Sequence, residues 1–216
     1  MKIYCLPGFG VDEKIFGNLK LNAEMSFINW LNPLTKETIE AYAKRMASSI
    51  LDEEPVIIGI SFGGMMALEI AKQQPVKKII LISSIKHGGE LPLSLRWIGK
   101  LKLNRVFPVK KIQQSDRFYK TANRRLGAYT KEEQAFANAY RKNASLNYIN
   151  WSFEQILNWK NKTYPDGAVH IHGNKDLIFP IKYVRPTHVI DNGTHMMAWN
   201  RADEISRIIN DCLASL

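Results

Sequence analysis

A serine in a glycine-rich turn is the first residue of this sequence that could do chemistry. Ser61 has Gly59 and Gly63 two residues to either side, in the pattern Gly-x-Ser-x-Gly, between an apolar β-branched run and an Ala/Met/Leu-rich helical pattern. A strand, a sharp turn and a helix would hold the hydroxyl above a sheet, where a base and a substrate carbonyl can both reach it. A side chain at either glycine would push the strand and the helix apart. Because the motif requires a strand before it and a helix after it, this context favours a nucleophile over an incidental serine in a turn.

A nucleophilic serine needs a base, and the base needs an acid. The hydroxyl is a poor nucleophile near neutral pH unless an imidazole accepts its proton and a carboxylate fixes the tautomer of that imidazole. Asp176 follows an apolar strand pattern, at the sheet edge where ligands of open α/β folds bind, and His195 lies in a glycine-containing turn after the next strand. We therefore predict a triad of Ser61, His195 and Asp176. The alternatives are a turn cap before Pro180 for Asp176, and Asp191 as the acid, although Asp191 is typical of a turn.

The other four histidines indicate no second site. His170, His172 and His188 fall inside strand patterns, where a structural role is the usual one, and His87 lies in a loop. His170 and His172 form a pair, but no carboxylate or third histidine stands at metal-ligand spacing. The two cysteines lack that spacing as well. We predict no metal site and no cofactor.

Backbone N–H groups are the predicted donors for the negative charge that develops on a substrate oxygen. One belongs to Phe62, which follows the nucleophile, and the loop after the first strand offers another at Phe9. Gly8 and Gly10 flank Phe9 and would let this backbone approach a substrate closely. A tight turn with no catalytic role is the alternative for this loop.

The elements that must position these residues alternate between strands and helices. Strand patterns occur at residues 2–6, 25–28, 56–60, 76–83, 168–172 and 187–190, and helical patterns at 11–19, 35–51, 62–74 and 202–213. Several of the strands are apolar runs without alternation, which is typical of a parallel sheet covered on both faces. We predict an α/β fold with a doubly wound, mostly parallel sheet flanked by helices.

The alternation of strand and helix patterns is interrupted between residues 85 and 165. This stretch has no convincing strand, is rich in Lys, Arg, Asn and aromatic residues, and contains helical patterns at 131–141 and 150–159. It is far longer than an ordinary connection between two strands. We predict a helical insertion.

Composition and charge narrow the class of protein. The chain has 216 residues, 45% of them hydrophobic, and a net charge of +10, and residues 86–165 hold 16 Lys+Arg against 5 Asp+Glu. This basic block favours an acidic partner or substrate, with a solvated basic surface as the alternative. The first apolar run is too short for a signal peptide or a membrane span. Cys5 and Cys212 are expected to be buried apolar residues in a reducing compartment, with a disulfide as the alternative. We predict a cytoplasmic protein without a membrane span.

The motifs together resemble the α/β-hydrolase superfamily. Residues 59–63 resemble its nucleophile elbow, 7–10 its oxyanion loop, 172–176 its acid loop and 193–195 its histidine turn. The resemblance implies the catalytic roles given above and a helical lid at residues 85–165. The core would then comprise residues 1–84 and 166–216.

Two features depart from the pattern of that superfamily. Pro7 stands where many members have a histidine, and the chain begins at what would be the third strand, so we expect a sheet of about six strands. The short distance from Asp176 to His195 implies a very short final crossover. None of these features removes a catalytic group.

The function predicted from the sequence is cleavage of an ester or thioester by a serine hydrolase through an acyl-enzyme. The substrate would be a small-molecule or carrier-linked acyl compound, and the basic insertion favours an anionic one. A non-catalytic binding or regulatory protein on the same scaffold is the alternative. Nucleic-acid binding is disfavoured because no RNA or DNA motif is present. The sequence predicts neither the acyl and leaving groups nor the oligomeric state.

Overall fold

The computed structural model describes residues 1–102, 115–143 and 145–216. Within this part of the chain, six parallel strands form one sheet in the order β2-β1-β3-β4-β5-β6. The strands are β1 (Lys2–Leu6), β2 (Glu24–Phe27), β3 (Val56–Ile60), β4 (Lys78–Ile82), β5 (Val169–Gly173) and β6 (His188–Ile190). The doubly wound α/β fold predicted from the sequence is therefore confirmed.

The strand order places the first loop of the chain beside the serine turn. β1 pairs with β3, and Leu6 is opposite Gly59 at the carboxyl ends of these two strands. In the sheet, β2 lies beside β1 on one side, whereas β4 lies beside β3 on the other. The direction in which successive strands are added to the sheet therefore reverses between β1 and β3. Ligands of open α/β sheets bind in the crevice at such a point.

Helices cover both faces of the sheet. Tyr4 and Leu6 belong to the core on one face, whereas the alternating residues Ile3 and Cys5 belong to the core on the other. The first core contains helices α1 (Ile39–Ala47) and α2 (Phe62–Ala71). The second contains a 3₁₀ helix (Glu13–Phe16), α7 (Met197–Asn200) and α8 (Ala202–Ala214).

Four α-helices of the described chain lie between β4 and β5. They are α3 (Leu93–Lys100), α4 (Asp116–Leu126), α5 (Lys131–Asn143) and α6 (Leu146–Leu157). Residues 103–114 and 144 of the predicted lid lie outside the described residues. Trp151 of α6 donates its Nε1–H to the Glu37 carbonyl at 2.8 Å, and Tyr140 of α5 donates its hydroxyl to Asp12. These bonds tie the helical segment to the loops of the core, while its role as a lid stays a prediction.

The first two helical elements are shorter than their sequence patterns predicted, and α2 ends at Ala71 rather than at residue 74. The pattern at 11–19 forms only the 3₁₀ helix, in which the Asp12 carboxylate accepts the Lys14 N–H at 3.0 Å. The pattern at 35–51 yields α1, which begins after Thr38 because the Thr38 hydroxyl accepts the Ala41 N–H.

Among the described residues, no helix combines the length and the apolar character needed to cross a bilayer. Cys5 and Cys212 are both free; Cys5 is buried as predicted, whereas Cys212 is only partly buried.

Candidate active site

Ser61 occupies a strained turn between β3 and α2. Its φ of 53° and ψ of −117° lie in a backbone region that residues with a side chain rarely adopt. The Ser61 N–H donates to the Ile82 carbonyl at 2.9 Å, and the Ser84 hydroxyl donates to the Ser61 carbonyl at 2.6 Å. The end of β4 therefore fixes both backbone polar groups of Ser61.

The glycines around Ser61 are required by close backbone contacts. A Cβ on Gly59 would lie about 2.5 Å from the Gly64 Cα, and a Cβ on Gly63 would overlap the carbonyls of Leu6 and Pro7. Strand β3 and the loop after β1 thus approach α2 more closely than any side chain allows. The contact at Gly59 is the predicted crowding of β3 and α2, whereas Gly63 is required because the end of β1 and the loop after it approach α2.

The structure brings together the three predicted triad side chains. The distance from His195 Nε2 to Ser61 Oγ is 2.9 Å, and that from His195 Nδ1 to Asp176 Oδ2 is 2.7 Å. Because a carboxylate only accepts hydrogen bonds, Nδ1 carries the proton and Nε2 is free to accept the serine proton. The three residues come from widely separated parts of the chain and are all buried. Asp191, the competing acid, instead accepts a hydrogen bond from Asn174.

Asp176 is held by the turn that follows it. Its Oδ1 accepts the backbone N–H groups of Ile178 and Phe179 at 2.7 and 2.9 Å, which leaves Oδ2 for His195. Burial acts to raise the pKa of Asp176, but His195, together with His172 and the Phe179 N–H, outweighs it and lowers the pKa below its usual value. The carboxylate is therefore ionised near neutral pH and can stabilise an imidazolium.

The loop that carries Phe9 lies against the nucleophile. A Cβ on Gly8 would be 3.6 Å from Ser61 Cβ, an ordinary contact, so the protein itself would tolerate a side chain there. Gly10 has a φ of 68°, which favours glycine, although its surroundings are open. Phe62 is the first residue of α2, where a backbone N–H has no acceptor within the helix. The geometry is compatible with an oxyanion site between Phe9 and Phe62.

Trp30, to which the sequence assigned no role, links the loop that carries Phe9 to Phe62. Its Nε1–H donates to the Gly8 carbonyl at 2.9 Å, and its ring stacks on that of Phe62 at 5.1 Å between centroids. Tyr148 of α6 stacks on Phe9 and also contacts Trp30. These aromatic contacts fix the loop after β1 relative to the start of α2. A tryptophan in the loop just after β2 was the sequence feature that could have indicated it.

His170 and His172 are fully buried in β5, beside the acid loop. Burial, with contributions from His172 and Lys86, lowers the pKa of His170 to about 3. Burial also lowers the pKa of His172. Within residues 1–102, 115–143 and 145–216, no group of three or more His, Cys, Asp or Glu side chains is placed to hold a metal ion.

Comparisons with known proteins agree on the type of fold. The model of a family described as "Alpha/beta hydrolase family" matches residues 3–208. The chain has no match among curated protein sequences. Similar solved structures include an esterase from Exiguobacterium antarcticum, with a TM-score of 0.75, 14% identity and coverage of 99% of this chain and 92% of the other.

Two further structures show the range of activities found on this fold. A thermophilic esterase from Thermogutta terrifontis, solved with malate bound, has a TM-score of 0.73, 15% identity and coverage of 100% of this chain and 90% of the other. An epoxide hydrolase from Bacillus megaterium, in complex with an inhibitor, has a TM-score of 0.71, 14% identity and coverage of 99% and 93%. At such identities the likeness establishes the fold, and the reaction must be argued from the site.

Proposed function

Because the chain belongs to the alpha/beta hydrolase family, we propose that it is a serine hydrolase that cleaves a carboxylic ester or thioester. The observation that carries the proposal is the unbroken hydrogen-bond chain from Asp176 through His195 to Ser61 Oγ. A serine, a neutral imidazole acceptor and a buried carboxylate in this order form the arrangement that acyl transfer needs.

The first half of the reaction forms an acyl-enzyme. Ser61 Oγ bonds to the substrate carbonyl carbon while its proton moves to His195 Nε2, and Asp176 stabilises the imidazolium that results. The N–H groups of Phe9 and Phe62 would receive the negative charge on the carbonyl oxygen. When the tetrahedral intermediate collapses, the bond to the alkoxide or thiolate breaks and the leaving group takes the proton from His195. The acyl group remains as an ester on Ser61.

The second half releases the acid. A water molecule gives a proton to His195 Nε2 as its oxygen bonds to the acyl carbon, and the same two N–H groups hold the oxyanion. Collapse breaks the bond to Ser61 Oγ, which recovers the proton from His195. The enzyme returns to its initial protonation state without any external cofactor.

The serine distinguishes acyl transfer from the other activities found on this fold. An epoxide hydrolase is among the similar structures, so the fold alone leaves the reaction open. A serine at the turn after β3, activated by an imidazole at 2.9 Å, is suited to attack on a carbonyl carbon. We therefore favour an esterase or thioesterase.

A basic helix near the site supports an anionic or carrier-linked acyl substrate, such as an acyl thioester whose carrier bears phosphate. Arg117, Lys120 and Arg124 are exposed along α4 at helical spacing. The carbonyl of Leu126, the last residue of α4, accepts the N–H of Met196, next to His195, at 3.1 Å. Exposed cations on a helix that ends beside His195 would attract an anionic substrate toward the site.

Ionic strength tests this substrate class. Hydrolysis of an acyl-CoA should slow as salt is raised, whereas hydrolysis of a neutral p-nitrophenyl ester should not, because salt screens exposed charges over about 10 Å. Reversing the charge of Arg117, Lys120 and Arg124 together should weaken acyl-CoA hydrolysis selectively. The matched control reverses three exposed lysines of the core: Lys36, Lys44 and Lys77. Equal salt sensitivity for both substrates would count against an anionic donor.

The experiment for the reaction itself is turnover of a short p-nitrophenyl ester by the wild type and by Ser61→Ala. Loss of turnover in the variant, with unchanged thermal unfolding, is the expected result. Unchanged turnover would refute the proposal. If neither protein turns over any ester or thioester of a panel of varied chain length and charge, the alternative of a non-catalytic binding protein would be favoured.

The cytoplasmic location predicted from the sequence is also a proposal. The two free thiols, Cys5 and Cys212, are compatible with a reducing compartment, and we propose that the protein acts in the cytoplasm. Subcellular fractionation would test this directly.

A further inference from the structure

His172 has a fixed tautomer because of the atom that it contacts. Its Nε2 lies 2.8 Å from the carbonyl oxygen of Phe179, which can only accept a hydrogen bond. The proton of the neutral ring must therefore be on Nε2, and this N–H is also 3.6 Å from Asp176 Oδ2. The side chains of His172 and Asp176 are both fully buried. His172 is thus a directed donor next to the proposed catalytic acid.

Phe179, which receives this hydrogen bond, contacts two members of the proposed triad. Its N–H donates to Asp176 Oδ1 at 2.9 Å, and its ring packs edge-on against His195 with 5.6 Å between centroids. Moving Phe179 would therefore disturb both the carboxylate and the imidazole. The His172 hydrogen bond is the contact that ties the Phe179 carbonyl to the rigid strand β5.

We infer that His172 is a positioning residue of the active site, which acts through Phe179 to hold Asp176 and His195 in register. The inference rests on the proposed function, since it assigns a supporting role within the same site. Asp176 must present Oδ2 to His195 while Oδ1 stays in the turn. A small rotation of the turn would misalign the His195 ring, and errors of about 1 Å in such sites lower rates by up to about 100-fold.

His170 provides a matched comparison in the same strand. It is two residues from His172, on the same face of β5, and their ring centroids are 5.1 Å apart. Both rings are fully buried, but among the described residues no hydrogen bond joins the His170 ring to the acid loop. Replacing His170 thus removes a buried histidine without releasing the acid loop.

The test compares His172→Leu, His172→Gln and His170→Leu in the full-length protein. We expect His172→Leu to lower kcat for a p-nitrophenyl ester about 10- to 100-fold with little change in KM. The acid limb of its pH–rate profile should move to lower pH, because a misaligned carboxylate stabilises the protonated base less well. His172→Gln keeps an N–H donor and should recover most of kcat and the wild-type profile. His170→Leu should keep the kcat and the pH–rate profile of the wild type.

Three outcomes would overturn the inference. They are a wild-type kcat and pH profile in His172→Leu, an equal loss in His170→Leu, and no recovery in a folded His172→Gln. Fluorophosphonate labelling of Ser61 separates this failure from that of the proposed function. Labelling of the wild type with an unchanged rate in His172→Leu refutes the positioning role alone, whereas absence of labelling in the wild type refutes the proposed function itself.

Discussion

The backbones of Gly173 and Gly193 are in direct contact across the site. A Cβ on Gly173 would overlap the Gly193 carbonyl, which itself accepts the Lys175 N–H at 2.9 Å. Gly173 ends the strand before Asp176, and Gly193 stands two residues before His195. This contact brings the acid loop and the histidine turn close enough for the 2.7 Å hydrogen bond between Asp176 and His195.

Gly173→Ala should therefore separate the acid from the base. We expect a loss of at least about 100-fold in kcat/KM and a fall of about 1–3 kcal/mol in the free energy of unfolding, because overpacking a close contact forces the backbone apart. Ester turnover and urea unfolding measure the two effects. Gly8→Ala is the control for stability, since its Cβ would make only ordinary contacts at 3.5–3.6 Å. Wild-type activity in Gly173→Ala would contradict the account.

Ser83 and Ser84 offer a matched pair at the end of β4. Ser84 Oγ donates to the Ser61 carbonyl, whereas the buried Ser83 Oγ has no hydrogen-bond partner among the described residues. Ser84→Ala should cost about 1–2 kcal/mol and lower kcat, because it loosens the strained turn. Ser83→Ala should be neutral or slightly stabilising, with full activity. Urea unfolding measures the stability of the two variants, and ester turnover measures their activity. Equal losses in Ser83→Ala and Ser84→Ala would argue against the role of Ser84.

Trp30→Phe should impair the oxyanion loop. The variant keeps an aromatic ring beside Phe62 but loses the hydrogen bond to the Gly8 carbonyl. We expect kcat to fall about tenfold with little change in KM, since the loop would act mainly on the charge that develops in the transition state. Steady-state kinetics on a p-nitrophenyl ester measure kcat and KM separately. The control is the exposed Trp97→Phe, which should behave as the wild type, and an unchanged kcat in Trp30→Phe would exclude the proposed link.

The buried His170 should make the protein less stable in mild acid. Its pKa is about 3 in the folded state against 6.5 for an ordinary histidine, so between these values only the unfolded chain binds the proton. The free energy of unfolding should fall as pH drops below 6.5, by up to about 1.4 kcal/mol per pH unit. His170→Leu should reduce that slope, as measured by urea unfolding at pH 7.5, 6 and 5, and the remaining slope would include the contribution of His172, whose pKa is also lowered by burial. An identical slope in wild type and variant would contradict the assignment.

The sequence allowed much of the fold and the positions of the site residues to be predicted. Ser61, Asp176 and His195 could be recognised because each follows a strand pattern in a turn, and turns at the same sheet edge meet. The role of Trp30 could not be predicted, because its partners Gly8 and Phe62 come from other elements. The same holds for His172, whose strand position indicated a structural residue. Local patterns report the element of a residue and not the contacts made by its side chain.

Helix lengths were the other part that the sequence left open. The apolar periodicity at residues 11–19 and 35–51 extends beyond the helices that form there. Hydrogen bonds of polar side chains determine where these helices begin. Glu37 lies before α1, where it accepts the Leu34 N–H and pairs with Arg45 at 2.7 Å. These bonds compete with a helical conformation of that turn.

The central claim is that Ser61 is the nucleophile of an acyl transfer. The most direct measurement is the mass of the intact protein, and of its peptides, after reaction with a fluorophosphonate probe. The account predicts one adduct located on Ser61, its absence in Ser61→Ala, and much slower labelling in His195→Ala, which lacks the base. No adduct on the folded wild type, or an adduct that forms equally well in Ser61→Ala, would contradict it.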